Sequence, residues 1–459
     1  MTREELFYET KSVYEKADEA KVKAIYDFAE GYKTYLSASR TERLAVREAV
    51  KLAESRGFRA WEPGEPVKPG DKIYMVNRGK AMMLAVIGKN SLEEGIRLAA
   101  AHVDNPRLDL KQHPLYEDAE MAFFKTHYYG GIKKFYWVAT PLAIVGTVVR
   151  KDGTVLDVSL GLEPGEPRFV ITDLLIHLAG DQMKKTAADF IPGESLNVLL
   201  GTRPDAEAGS DRVKLAVMKL LNEKYGIIEA DLLSSELCVV PADEVVDLGL
   251  DRSLVGGFGH DDRVCAYAEL MAILETEAPE RTAVCLFTDK EEVGSVGVTG
   301  MNSQNFEYFM EGLCKALGGD LRRCFHNSLC LSADVCNAYD PNFPETADKR
   351  NNARLNHGTG IIKFTGSRGK SGSNDASAEL VGRVRRMLDE ADVAWQMGEL
   401  GKVDQGGGGT VASITAMRDI DTIDAGVPVL NMHAPFEVIA KADLYMTYRA
   451  MYTLFNTTC

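Results

Sequence analysis

A run of β-forming residues that breaks directly into two adjacent carboxylates constrains this chain more than any other stretch. Residues 281–287 predict a buried strand, and Glu291 and Glu292 follow it closely. Open α/β sheets bind ligands just beyond the carboxyl ends of their strands, so the two glutamates fall where a site is expected. Neighbouring carboxylates suit metal binding by one and proton transfer by the other. An isolated Glu-Glu pair is more often a solvated turn, so whether these two residues form a site depends on the residues elsewhere in the chain.

Composition bounds the class of protein. A chain of 459 residues is long enough for about two to three domains. Its 45% hydrophobic and 26% charged residues are typical of a soluble globular protein. The formal net charge of −15 argues against nucleic acid or an anionic membrane as a partner.

Cysteine spacing and the apolar runs predict the compartment. The eight cysteines show no Cys-x-x-Cys spacing, and several lie inside apolar runs, which favours reduced thiols. The N-terminus has no apolar core of a signal peptide. The longest apolar stretch, 135–149, is too short to span a bilayer. We therefore expect a soluble, cytoplasmic protein.

The order of predicted elements indicates an α/β protein with an insertion. Residues 1–57 are helix-like, and strands near 72–76, 81–87 and 95–101 follow. The pattern changes at about residue 111 and returns to α/β at about residue 244. The insert contains β-rich segments near 144–150 and 154–160 and helix-like segments near 173–185 and 211–225. We predict one discontinuous domain, 1–110 with 244–459, and an inserted β-rich domain, 111–243.

Other predicted strand ends and one helix start also carry metal-ligand side chains. These residues are His102 and Asp104 after strand 95–101, Asp261 before helix 264–274, Asp334 after strand 329–333, and His433 after strand 427–432. Two histidines and three carboxylates form a ligand set for two zinc or similar divalent ions, with Asp261 between them. Each residue alone is more often a core or capping residue, so spacing leaves both interpretations open. No His-Glu-x-x-His occurs, which excludes the helical single-zinc protease motif.

The motifs taken together resemble the M18 family of metallo-aminopeptidases, which includes aspartyl aminopeptidase. They are His102-Val103-Asp104-Asn105-Pro106, His260-Asp261-Asp262-Arg263, Asp289-Lys290-Glu291-Glu292-Val293-Gly294-Ser295, Ser332-Ala333-Asp334 and Asn431-Met432-His433-Ala434-Pro435. The likeness runs from about residue 70 to the end of the chain. It implies a catalytic domain with a central mixed sheet between helices, interrupted by a smaller domain that pairs subunits.

The resemblance also implies a role for each site residue. His102, Asp334 and a bridging Asp261 match the ligands of one zinc ion, and Glu292 and His433 match those of the other. Glu291 matches the general base, and Asp104 matches the carboxylate behind His102. His177, in the insert, matches a histidine that reaches a neighbouring subunit's active site.

The implied function is removal of the N-terminal residue from peptide substrates with two Zn²⁺ ions, for which Co²⁺ or Mn²⁺ are alternatives. The implied assembly is a homo-oligomer built from dimers, with a dodecamer among its forms. Family members that prefer acidic residues carry His, His and Arg where this chain has Asn337, Asp340 and Phe436. They also carry Trp-Phe-Asp-Arg where it has residues 136–139. These departures weaken the expectation of an acidic N-terminal preference.

Two other functions stay open at this point. The same dinuclear fold serves carboxypeptidases and deacylases, which act on substrates with a blocked amine and a free carboxylate. A non-catalytic scaffold with this fold is the second alternative, although a scaffold has no need of a general base such as Glu291.

Overall fold

The computed structural model of the protein describes residues 1–206, 209–366 and 368–458. The α-helices are α1 (Arg3–Leu6), α2 (Val13–Lys16), α3 (Glu19–Ala38), α4 (Glu42–Ser55), α5 (Arg212–Tyr225), α6 (His260–Glu275), α7 (Asn305–Leu317), α8 (Leu321–His326), α9 (Ala378–Glu390), α10 (Ala412–Ala416) and α11 (Lys441–Asn456). The strands are β1 (Arg59–Ala60), β2 (Lys72–Asn77), β3 (Ala81–Val86), β4 (Arg97–His102), β5 (Arg107–Asp118), β6 (Met121–Tyr129), β7 (Leu142–Val149), β8 (Val155–Leu160), β9 (Val170–Ile171), β10 (Val198–Gly201), β11 (Ser235–Pro241), β12 (Val246–Leu248), β13 (Leu254–Gly257), β14 (Ala283–Thr288), β15 (Leu329–Ser332), β16 (Cys336–Asn337), β17 (Thr359–Ile362), β18 (Trp395–Met397), β19 (Asp421–Gly426), β20 (Pro428–Leu430) and β21 (Glu437–Ala440).

The chain divides into two compact units. The first contains Met1–Asp104, Val245–Met432 and Glu437–Cys459, and the second contains Asn105–Glu244 and His433–Phe436. The predicted insert, 111–243, falls within the second unit, which begins six residues earlier, at Asn105, and continues one residue further, to Glu244. Pairing of subunits through this insert stays a prediction.

The first unit is built on a nine-stranded mixed sheet in the order β1-β2-β3-β14-β4-β15-β19-β17-β18. The central strand β4 pairs in parallel with both β14 and β15. Side chains alternate along each strand between two buried apolar clusters, as Ala99 and Ala101 against Leu98 and Ala100 show for β4. Such alternation with both faces buried requires cover on both sides. The predicted fold class, a central mixed sheet flanked by helices, is confirmed.

Each unit carries a further sheet. In the first unit, five strands form the order β12-β13-β21-β20-β16. In the second unit, seven strands form the order β8-β7-β11-β5-β6-β10-β9. The first and last long strands of that unit, β5 and β11, pair antiparallel, with Leu108 opposite Val239.

One predicted helix in the second unit is absent. Residues 211–225 form α5 as expected, but 173–185 contain only single 3₁₀ turns at Ile176–Leu178 and Gln182–Lys184. The apolar side chains that suggested a helix point to solvent instead: Leu174, Leu175, Ile176, Leu178 and Met183 are each at least 46% exposed. These five residues are called the apolar turn below. An apolar stripe stabilises a helix only when packing covers it, and nothing in the described chain covers this one.

The described cysteines and helices bear on two further predictions. Seven of the eight cysteines are buried and unbridged, as expected for reduced thiols, and Cys459 lies outside the described residues. Among the helices of the described ranges, none is long and apolar enough to cross a membrane.

Candidate metal centre

Three adjacent parallel strands bring the predicted residues to one edge of the nine-stranded sheet. His102 is the last residue of β4 and lies opposite Thr288, the last residue of β14. After β14 the chain turns into a single 3₁₀ turn, Glu291–Val293. Asp334 follows two residues after β15. Since parallel strands end at the same edge of a sheet, the loops after all three meet there.

The start of α6 supplies two more carboxylates. Asp261 and Asp262 lie in its first turn, preceded by Gly259 in the left-handed conformation (φ 86°). Both aspartates are buried. The backbone N–H of Asp261 donates a hydrogen bond to Oε2 of Glu437, 3.1 Å away. Glu437 is itself buried at the start of β21, so the second sheet helps to fix the position of Asp261.

His102 stands at the centre of this group. Its Nε2 lies 3.1 Å from Oδ1 of Asp261, 3.8 Å from Oδ1 of Asp334 and 4.0 Å from Oε2 of Glu291. The imidazole is 1% exposed, so these contacts form away from bulk water. A buried ring nitrogen that faces several carboxylates at this range is a donor arrangement that suits a divalent metal ion.

Asp104 holds the histidine and the glutamates together. One of its oxygens lies 3.3 Å from Nδ1 of His102, and the Asp104 carbonyl lies 2.9 Å from the same nitrogen. The backbone N–H groups of Glu291 and Glu292 donate to its two carboxylate oxygens at 3.1 and 3.3 Å. One buried carboxylate therefore sets both the ring orientation of His102 and the position of the glutamate turn.

Ligand atoms of six residues form three overlapping groups, each within 4.8 Å. The groups are His102 with Asp261 and Glu292, His102 with Glu291 and Asp334, and Asp261 with Asp262 and Asp334. The six residues are called the strand-end cluster below. Asp261 belongs to two of the groups, and so does Asp334. Carboxylate oxygens with one imidazole nitrogen are a donor set that suits zinc and similar divalent cations.

The electrostatics of the cluster favour a bound cation. Burial raises the pKa of Asp334 well above its ordinary value, and the neighbouring Asp262 raises it further. Burial likewise raises the pKa of Asp262, with Asp261 adding to the effect. For His102 burial lowers the pKa, but hydrogen bonds with Asp104 and Asp261 outweigh it, and the pKa lies well above its usual range. Crowded carboxylates of this kind need positive charge to ionise together, which a divalent ion supplies.

The structure thus brings together His102, Asp104, Asp261, Glu291, Glu292 and Asp334 within the first unit. The other two predicted residues, His433 and His177, belong to the second unit. Nδ1 of His433 lies 2.8 Å from the carbonyl oxygen of Gly131, and its backbone is left-handed (φ 65°), which is uncommon outside glycine. His177 lies in the exposed 3₁₀ turn at the middle of the apolar turn.

Two residues of this site were not among the predicted ligands. Asp262 was visible as the neighbour of Asp261, but a repeated acid at a helix start is ordinary and gave no reason to choose both. Glu437 is the first residue of β21, and the pairing of β21 with β13 brings its side chain within hydrogen-bond distance of Asp261. No local signal in the sequence indicates that contact.

Most of the chain is similar to one family of known proteins. Residues 35–455 match the family model described as aminopeptidase I zinc metalloprotease (M18). The chain is 47% identical over 453 residues to the probable M18 family aminopeptidase 1 of Clostridium acetobutylicum, covering 96% of this chain and 97% of that one.

Solved structures agree with the match. The M18 aminopeptidase of Thermotoga maritima superposes with a TM-score of 0.94 at 40% identity, covering 98% of this chain and 100% of that one. The S. cerevisiae mApe1 dodecamer superposes with a TM-score of 0.76 at 20% identity, covering 94% of this chain and 96% of that one, which shows the fold alone.

Proposed function

This chain belongs to the M18 family of zinc aminopeptidases, and from that premise we propose that it removes N-terminal residues with two zinc ions and with Glu291 as the general base. The observation that carries the proposal is the strand-end cluster, in which one buried imidazole faces three carboxylates within 4.0 Å. The family match favours an aminopeptidase over the carboxypeptidase, deacylase and scaffold alternatives.

The residues present fit two ions. We assign His102 and Asp334 to one ion and Glu292 and His433 to the other, with Asp261 shared. Asp261 lies in one ligand group with Glu292 and in another with Asp334, which supports a role shared between the two ions. When bound, the two ions lower the pKa of a water molecule and polarise the scissile carbonyl.

The position of Glu291 supports its proposed role as the general base. Its backbone N–H is held by Asp104, while its side chain stays partly exposed and reaches to 4.0 Å from Nε2 of His102. A carboxylate fixed at its backbone and open at its tip accepts a proton at Oε2 and returns it to the leaving amine. The same acidic surroundings offer an anchor to the free α-ammonium of a peptide, which favours exopeptidase action.

The proposal includes no preference for acidic N-terminal residues. Where the resemblance leads us to expect cationic groups, this chain has Asn337, Asp340 and Phe436. An aspartate in place of a cation disfavours an anionic side chain through like-charge repulsion.

We propose further that the active form is a homo-oligomer, in which His177 of one subunit serves the site of another. The apolar turn supports this: Ile176 and Leu178, on either side of His177, are 69% and 66% exposed. Exposed apolar groups of this size are typical of surfaces that a partner covers. In the proposed assembly, His177 would donate a hydrogen bond to the oxyanion of the scissile carbonyl.

A substrate panel tests the reaction class. Metal-free protein is reconstituted with Zn²⁺, Co²⁺ or Mn²⁺ and assayed on aminoacyl chromogenic substrates, with matched N-acetylated substrates as controls. We expect activity on free amines only, and weak activity on Asp and Glu derivatives. Cleavage of the blocked substrates at equal rates would overturn the aminopeptidase assignment.

Glu291→Gln tests the base. The substitution keeps size and hydrogen-bonding capacity but removes the proton acceptor, so turnover should fall by about two to four orders of magnitude. Metal content, measured by elemental analysis, and thermal stability should stay close to wild type. Near-normal turnover with normal metal content would contradict the assignment of Glu291 as the general base.

A further inference from the structure

A second cavity lies in the first unit, among residues that take no part in the strand-end cluster. Its volume is about 400 Å³, and it is lined by the N-terminal residues 8–13 and 16, by residues in the range 385–395, and by Lys21 and His357. Small-molecule sites in proteins have volumes of about 300–1,000 Å³. The cavity is therefore large enough for one small ligand.

The cavity wall is held in place by specific contacts. The N–H of Val13 donates to the carbonyl oxygen of Asn356 at 2.7 Å, and the Val13 side chain is buried. The Tyr8 ring stacks on the Trp395 ring, with centroids 6.1 Å apart. Nε1 of Trp395 donates to Asp389 at 2.8 Å. One side of the cavity is thus an aromatic surface that exists without a ligand.

The cavity also presents unpaired charges of both signs. Its charged lining residues are Lys11, Lys16, Lys21 and Arg385 against Glu9, Asp389 and Asp392. Two ion pairs, each at 3.5 Å, use four of these seven groups: Lys21 with Asp392, and Arg385 with Asp389.

The remaining three groups are Lys11, Lys16 and Glu9, which form no ion pair with any described residue. His357 adds a buried Nδ1 that has no hydrogen-bond partner within the described ranges. Burial, followed by the charge of Arg354, lowers the pKa of His357. Two cations and one anion thus remain available to a ligand.

We propose that this cavity binds a free α-amino acid with an apolar side chain. The α-carboxylate would meet Lys11 and Lys16, the α-ammonium would meet Glu9, and the side chain would lie against Trp395. A purely anionic ligand would leave Glu9 without a partner, and a purely cationic ligand would leave Lys11 and Lys16 without one. A zwitterion offers a partner of opposite charge to all three side chains. A free amino acid is also what an aminopeptidase releases, so the cavity would bind product away from the reaction centre. This ligand class rests on the family's activity and not on the two-zinc mechanism.

Trp395 provides a direct readout of binding. The other two tryptophans, Trp61 and Trp137, are 1% and 0% exposed, so Trp395 is the one a ligand in solvent can reach. Zinc-loaded full-length protein is titrated with L-leucine while its fluorescence is followed. We expect a saturable change that is absent in Trp395→Phe.

Two leucine analogues test the zwitterion. N-acetyl-leucine lacks the ammonium group, and isoamylamine lacks the carboxylate. Each should bind at least about tenfold more weakly than leucine, because one charge-assisted contact is lost. Equal binding of either analogue would overturn the proposed ligand class.

Lysine variants locate the binding. Lys11→Gln and Lys16→Gln should each weaken leucine binding by about tenfold, whereas Lys23→Gln, an exposed lysine paired with Asp27 outside the cavity, should not. Thermal shift with leucine provides a second measurement that does not depend on fluorescence. Binding unaffected by the cavity variants but abolished by His102→Ala would place leucine at the metal centre and reject the cavity. Binding lost in the lysine variants but retained in His102→Ala would support the cavity even if the two-zinc mechanism were wrong.

Discussion

His102 and His177 occupy opposite surroundings. His102 is 1% exposed and fixed by Asp104 and by the strand-end cluster. His177 lies on a single 3₁₀ turn whose neighbours Ile176 and Leu178 are 69% and 66% exposed. Buried polar groups must find partners within the fold, so the cluster is organised by one chain. An exposed apolar turn has no such partners, and we infer that His177 serves an active site only when another subunit covers this turn.

The sharpest test of the cluster is Asp261→Ala. If Asp261 is shared by both ions, as proposed, the variant should lose more metal than His102→Ala or His433→Ala. Turnover should fall by more than about a thousandfold, because the loss of metal removes several kcal/mol of charge stabilisation. Elemental analysis provides the measurement. If only one ion leaves Asp261→Ala, the shared role is wrong, and Asp262 is the next residue to test.

His177→Ala tests the other half of the comparison. Loss of an oxyanion donor from a water-excluded site costs about 3–4 kcal/mol, which is about two to three orders of magnitude in turnover. Metal content should be unchanged, since His177 is not a ligand.

Mixing subunits distinguishes action between subunits from action within one. His177→Ala protein is exchanged with Glu291→Gln protein, and subunit exchange is confirmed by mass. If His177 serves a neighbour, a mixed dimer carries both lesions in one site and leaves the other site whole, so activity returns. Absence of recovery would reject the role across subunits.

Asp104→Asn should have a smaller effect on the cluster. The amide keeps one acceptor, but its NH₂ group faces the backbone N–H of Glu291 or Glu292, and both hydrogen bonds cannot persist. Metal affinity and turnover should each fall by about 10–100-fold, the usual cost of losing the partner of a ligand. Asp419→Asn, at an exposed site paired with His326, is the matched control and should be neutral. An equal effect in both variants would show that Asp104 has no specific role in metal binding or turnover.

Ile176→Ser is expected to have the smallest effect. Its apolar side chain should be buried between subunits, so the subunit dissociation constant should rise by about tenfold or more. Leu220→Ser, on α5 of the same unit and 66% exposed, is a matched control that should leave assembly unchanged. Analytical ultracentrifugation over a dilution series measures both. Unchanged assembly in Ile176→Ser would separate the apolar turn from the interface.

The parts of the fold and of the site that depend on local sequence pattern could be predicted from the sequence. The strands that end at His102, before Glu291 and before Asp334 are short apolar runs, and this pattern predicted that these three residues lie at one edge of the sheet. The parts that depend on packing between distant segments could not be predicted in this way. Leu174 to Leu178 have the composition of a helix, yet no residue that the structure describes covers them, so they form only a turn. Glu437 reaches Asp261 through a strand pairing between residues far apart in sequence, which periodicity does not reveal.

The pairing of β5 with β11 has a consequence for how the chain folds. In the central sheet, Ala99 pairs with Cys285, so the two strands must close a loop that contains almost the whole second unit. Non-local pairings of this kind are slow, because closure entropy is lost before the contacts are gained. Within the second unit, however, Leu108 lies opposite Val239, which brings the two ends of the insert together. We therefore expect the insert to fold first and to shorten the search for β4 and β14. Pulse-labelled hydrogen exchange should then show amides of β5 and β11 protected before those of β4, and the reverse order would contradict this folding sequence.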